Sequence, residues 1–103
     1  MLRRGTTPTC TFTTPYQASE IQRGYITFKQ RSNIILEKSL DSPDVVVQDE
    51  SIDLYLSQQD TLKFYQNTKA EVQIRLILND ASKAVASNII EFCIDPILKE
   101  GVI

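Results

Sequence analysis

The side chains that could do chemistry in this chain are two cysteines, Cys10 and Cys93, and thirteen carboxylates; there is no histidine. A thiolate nucleophile needs a neighbouring base, and without histidine no Cys-His or Ser-His pair can form. The cysteines stand near opposite ends, outside any CxxC pair, and no histidine completes a zinc site with them. Two readings stay open for them: buried free thiols, or a bridge if the first and last strands are neighbours. The adjacent acids Asp49 and Glu50 have the atoms for glycosidase work. Adjacent acids in a turn are ordinarily solvated, and a domain this small leaves little room for a sugar cleft. The acidic stretch lacks the alternating DxDxDG pattern of a calcium loop. Glycines occur only at 5, 24 and 101, so no phosphate-cradling loop exists. Catalysis, cofactor and metal are therefore not expected.

The elements that would carry any site read as strands. Ala70, Val72, Ile74, Leu76 and Leu78 fall on one face of an extended segment, with Glu71, Gln73 and Arg75 on the other. Such period-two alternation marks a sheet with one wet face. Asn79-Asp80-Ala81-Ser82-Lys83 is polar turn chemistry, and a second apolar strand, Val85–Ile94, follows. Further strands are expected at Thr9–Thr14, ended by Pro15, at Ile21–Gln30, at Ile34–Lys38, at Val45–Val47 on an edge, and at Ser51–Leu56. Cys10 and Phe12 share one face of the first, and Ile26 and Phe28 point inward from the second. Ser57, with polar residues following it before Leu62 and Phe64, suggests one helical turn crossing between sheets. Seven strands at this spacing point to an all-β fold, an Ig-like β-sandwich of about seven antiparallel strands ending in a long hairpin.

At 103 residues and 42% apolar, the chain suits one domain with a core. The organisation reads as an irregular basic arm over 1–8, a sandwich over 9–95, and an apolar tail over 96–103. No apolar run approaches the roughly 20 residues of a membrane span. Met1-Leu2-Arg3-Arg4-Gly5 lacks an apolar core, so it does not read as a secretory signal. A formal charge of -2 argues against a chain-wide nucleic-acid footprint. Charge is uneven: a basic first third precedes an acidic segment, Asp41 to Asp60, that contains no base. Solvated loops or complementary docking poles would both explain it.

Arg4-Gly5-Thr6-Thr7-Pro8-Thr9 through Phe12 resembles the opening of small structural-gene-cluster proteins of tailed phages and prophages of gut bacteria. The segment from Leu56 to Ile94 is similar to the Ig-like N-terminal domain of phage baseplate upper proteins, with Leu56, Asp60, Lys69-Ala70-Glu71, Asp80 and Ser87 at matching places. The glycine turn common in that family is replaced here by Asn79–Lys83. The resemblance implies a non-enzymatic structural component of a tailed-phage virion: an adaptor, fibre-anchoring, decoration or baseplate/tail subunit. It implies synthesis in the bacterial cytoplasm, location in the virion, and partners among other phage structural proteins and copies of itself. No nucleic acid, membrane, small-molecule substrate or cofactor is expected.

The expected contact residues are Met1, Leu2, Arg3 and Arg4 at the start, and Ile97, Leu98, Val102 and Ile103 at the end. Their aliphatics have no evident partner within a finished sandwich. The alternative is a cytoplasmic phage accessory protein that binds and inhibits a host protein. A sugar-binding or hydrolytic module is disfavoured by the absence of tryptophan and histidine.

Overall fold

A computed structural model describes residues 2–80 and 83–103. Among them are nine strands, one short α-helix and a single 3₁₀ turn at Ala18–Glu20. In chain order these are β1 (Leu2–Arg3), β2 (Thr9–Thr13), β3 (Ile21–Gln30), β4 (Asn33–Ser39), β5 (Val45–Gln48), β6 (Ser51–Tyr55), α1 (Gln58–Leu62), β7 (Lys69–Leu78), β8 (Ala84–Ala86) and β9 (Ile90–Asp95). They form two sheets. The larger runs β1-β9-β7-β3-β4, with β8 also paired to β7; the smaller runs β2-β6-β5. The fold is thus an all-β sandwich.

The alternation that marks β7 does what period two requires. Ala70, Val72, Ile74 and Leu76 are buried, while Glu71, Gln73 and Arg75 lie on the opposite face. β3 lies antiparallel beside it, with Ile26 opposite Ile74 and Phe28 opposite Val72. Ile52 and Leu54 of β6 face these residues from the small sheet, and all are essentially without solvent contact. Phe28, Phe64 and Phe92 add an edge-to-face cluster with ring centroids 5.5, 6.0 and 6.4 Å apart.

Local chemistry sets the connections. Arg31 and Ser32 both adopt positive φ, 51° and 66°, as a two-residue turn needs between right-twisted strands. Ser57 Oγ accepts from Asp60 N at 3.0 Å, and Asp60 Oδ2 accepts from Ser57 N at 3.1 Å. This reciprocal cap starts α1 where the sequence places it. Gln30 is fully buried; its amide accepts from Tyr65 N at 2.7 Å and donates to Tyr65 O at 2.9 Å, fixing the loop after α1.

Two expectations need correction. The expected continuous strand Val85–Ile94 is two strands, β8 and β9, both on the same side of β7 with a one-residue register shift between them. Ser87 bridges the break: its Oγ accepts from Ile74 N at 3.0 Å, its N–H donates to Ile74 O at 2.8 Å, and its carbonyl accepts from Gln73 Nε2 at 2.9 Å. The break is therefore a bulge inside one hairpin, with a serine supplying the missing ladder partner. The arm expected to be irregular carries β1, which runs parallel to β9 with Leu2 opposite Ile94. The expected turn at 79–83 includes Ala81 and Ser82, which lie outside the described residues.

Candidate functional site

The residues expected at an interface come together, but much of what they touch is their own chain. Leu2 is only 4% exposed and belongs to the core. Arg3 Nη1 donates to Pro96 O at 2.6 Å. The Arg4 guanidinium donates to Phe64 O at 2.7 Å and Leu62 O at 3.0 Å, and pairs with Glu100. Those two carbonyls lie at and just beyond the end of α1, where helical partners run out. Gly5, at φ +74°, leaves room for Ile97, whose Cδ1 would lie 2.9 Å from a Cβ there. Arm and tail thus clasp each other beside α1. The expectation that the aliphatics lack partners is corrected for Leu2 and Ile97, because β1 carries the chain back into the sheet. Leu98 and Ile103 are fully exposed and Val102 is more than half exposed. Met1 lies outside the described residues.

The other candidates resolve into structural roles. Cys10 and Cys93 are free and stand in different sheets. Cys10 is half-buried, and that burial pushes its thiol up from the ordinary value. Cys93 is exposed, so the expectation of burial is corrected there: it points from the outer face of an edge strand. The acidic segment is largely bonded within the chain. Asp49 Oδ1 accepts from Ala18 N at 2.9 Å, and Asp53 Oδ1 accepts from Thr11 Oγ1 at 2.8 Å. Asp44 and Asp60 flank Lys38 Nζ at 2.8 and 3.3 Å. Among the described residues no group of three His, Cys, Asp or Glu side chains is disposed to hold a metal ion, and no helix is long and apolar enough to cross a membrane.

What remains is a feature of the whole sandwich. The small sheet is three strands wide, while the large sheet opposite is wider. β2, the outer strand of the small sheet, faces the β8–β9 edge of the large one across an unfilled gap. Toward one end the gap is a cavity of about 320 Å³ lined by Cys10, Phe12, Phe28, Val72, Ile90 and Phe92. Toward the other it is a cavity of about 150 Å³ among Pro15, Tyr16, Ile74, Leu76 and Val85. No charged side chain lines either cavity. β2 pairs with β6 on one side only, and β1 covers β9 only at Ile94 and Asp95. Both walls of this seam are therefore sheet edges with backbone groups open to a further strand. On the outer face of the large sheet, a concavity of about 440 Å³ lies among Arg23, Tyr25, Arg75, Ile77, Ala84 and Ala86. There Arg75 is already engaged by Glu37 at 3.7 Å and by the Tyr25 ring at 5.9 Å.

The seam-lining residues were not among those expected at an interface. One sequence signal bears on them. Ile89 and Ile90 are adjacent aliphatics in a strand region, and period two cannot bury both. Here both are exposed. Comparison of the chain with protein-family models, with characterised proteins and with solved structures returned no match.

Proposed function

We propose that this protein is a non-enzymatic structural subunit of a tailed-phage particle that works by docking to neighbouring subunits. The observation that carries the docking part is the uncharged apolar seam between two open sheet edges. Such a seam suits the addition of an extended segment, which gains ladder hydrogen bonds from the edge and burial from the floor. The assignment to a phage particle rests on the resemblance of 4–12 and 56–94 to phage structural proteins. The fold supports it in one respect: the polar clusters of the chain serve caps, clamps and ion pairs, which suits a rigid building block.

The test is quantitative peptide mass spectrometry of gradient-purified particles, scaled to the major capsid protein. A fixed stoichiometry is the expected result, and its value separates many-copy decoration from a ring or fibre anchor of few copies. Presence in infected cells with absence from particles would overturn the reading in favour of a cytoplasmic accessory protein that binds a host protein.

A further inference from the structure

We infer that the open edge of β2 pairs with the β2 of a second copy of this chain, antiparallel and about a two-fold axis at Thr11. The inference rests on the docking reading above and names its partner. The first argument is which backbone groups are free. Pro8 O accepts from Leu56 N at 3.1 Å, and Thr14 N donates to Glu50 O at 3.2 Å. Antiparallel ladder bonds fall on every second residue, so Cys10 and Phe12 complete this series toward β6. The N–H and C=O groups of Thr9, Thr11 and Thr13 therefore point to the open side, and these three residues are exposed.

The second argument is self-complementarity. β2 reads Thr-Cys-Thr-Phe-Thr, with threonine at each odd-numbered position and an apolar residue between. Run antiparallel against itself with Thr11 opposite Thr11, it sets Thr9 opposite Thr13 and Cys10 opposite Phe12. Every threonine pair is then a hydrogen-bonded pair, exchanging two N–H···O=C bonds. The threonine side chains meet on the outer face, where such pairs are favourable. Cys10 and Phe12 of the two copies meet on the inner face, where sulfur packs well against a ring. Only these two residue types are added beside the uncharged seam, on the side where Ile90 of β9 is half exposed. Beyond Thr13, Pro15 has no N–H to offer Thr7 of the other copy, so the ladder stops with the strand.

The third argument is charge. β2 contains no charged residue, and the outer strands on the opposite flank do not share that property. β4 carries Glu37 and Lys38, and β5 runs between Asp44 and Asp49-Glu50. Charges at a sheet edge oppose pairing with a further strand, and β2 lacks that guard. Beside β2 on the outer face stands Asp53, whose Oδ1 accepts from Thr11 Oγ1 at 2.8 Å. Across the paired edge the two Asp53 residues lie three strand spacings apart, about 14 Å, beyond the roughly 8 Å over which exposed charges act at physiological salt. The contact is isologous and uses the same edge of both copies, so it closes at a dimer.

The experiment is sedimentation velocity on the purified full chain over about a hundredfold range reaching several hundred micromolar, since a five-residue ladder is a small interface and self-association follows mass action. The wild type should pass from monomer to dimer and no further. Thr11→Pro removes an outward N–H at the two-fold axis while leaving the bonds to β6, a place where an edge strand tolerates proline. It should be monomeric throughout, with its folded state checked by circular dichroism. A monomeric wild type, species larger than the dimer, or a folded Thr11→Pro chain that dimerises like the wild type would each overturn the inference. A second measurement leaves the backbone of the edge intact. In a background of Cys10→Ser and Cys93→Ser, Thr11→Cys places two thiols on opposed residues whose Cα atoms are about 5.5 Å apart, within reach of a disulfide. It should give an oxidant-induced dimer, and Val46→Cys on the opposite outer strand should not; equal cross-linking of the two counts against the arrangement. These outcomes are independent of the particle assay. Absence from particles with the dimer intact removes the virion reading alone, and a monomer found in particles removes this inference alone.

Discussion

Asp60 joins three jobs in one carboxylate: it caps α1 through Ser57, it meets Lys38, and it fixes the small sheet's exit to β4 of the large sheet. Burial would push its carboxyl up, but the bonds from Ser57 and Lys38 outweigh that and hold it below its ordinary value. For Lys38, burial would pull the ammonium down, and Asp44 and Asp60 more than offset this and hold it above its ordinary value. The two shifts act at opposite ends of the pH scale. A depressed carboxyl stabilises the fold above its unfolded value of 3.8 and loses that contribution as pH falls through the folded value. A raised ammonium stabilises below its unfolded value of 10.5 and loses it as pH rises through the folded value. The cluster is therefore intact across the neutral range. In thermal melts, Asp60→Asn should lower the midpoint at neutral pH, and the gap should narrow as pH falls through the depressed value of the wild-type carboxyl. A gap that persists unchanged into acid would rule out the charged pair as its source.

At the scale of elements, the pairing of β3 with β7 depends on a close approach at Gly24. A Cβ there would lie 2.6 Å from Arg75 O and 2.7 Å from Leu76 Cδ2, and the carbonyl cannot move without opening the ladder. Gly24→Ala should cost about 1–3 kcal/mol in urea unfolding, as overpacking does in a filled core. A loss under about 0.5 kcal/mol would mean that the strands separate there at little cost. The same scale explains what the sequence could tell. β7, β3 and β6 were legible because each has one dry face and one wet face, and the dry residues alternate. α1 was legible because Ser57 is an N-cap residue type ahead of a polar run that leads to Leu62 and Phe64; that Asp60 closes the cap from the other side only the structure reveals. β1 was not legible: two residues carry no period, and Leu2 is buried only because Ile94, far along the chain, lies beside it. The bulge at Ser87 was hidden for a related reason. The apolar pattern of 85–94 continues across it, and only the pairing with Ile74 reveals the shifted register.

At the scale of the molecule, the sandwich is tight in the middle and open on one flank. Strands β3 and β7 sit inside the large sheet with partners on both sides, whereas β2 and β8 each have an open edge. Amide hydrogen exchange should rank accordingly: slowest at Ile26, Phe28, Val72 and Ile74, and fastest among strand amides on the outer side of β2 and in β8. Raising the protein concentration should slow exchange at β2 selectively if copies dock there. Uniform protection of β2 in dilute solution would show the flank to be closed. The seam itself could not be read from the chain. Cys10, Phe12, Ile90 and Phe92 look like ordinary core residues in their own strands. They line a gap because the small sheet stops one strand short, a property of the whole assembly of strands. One consequence concerns how the chain is made. Leu2 and Ile94 sit side by side, about ninety residues apart. During synthesis the chain as far as Ile94 has to leave the ribosome before this corner of the core can form. Until then the nascent chain exposes β9's future neighbour with nothing to cover it, and the last contact to form is among the slowest by loop closure. A chaperone that holds the emerging opening residues would act on the longest-lived vulnerable stretch of this protein.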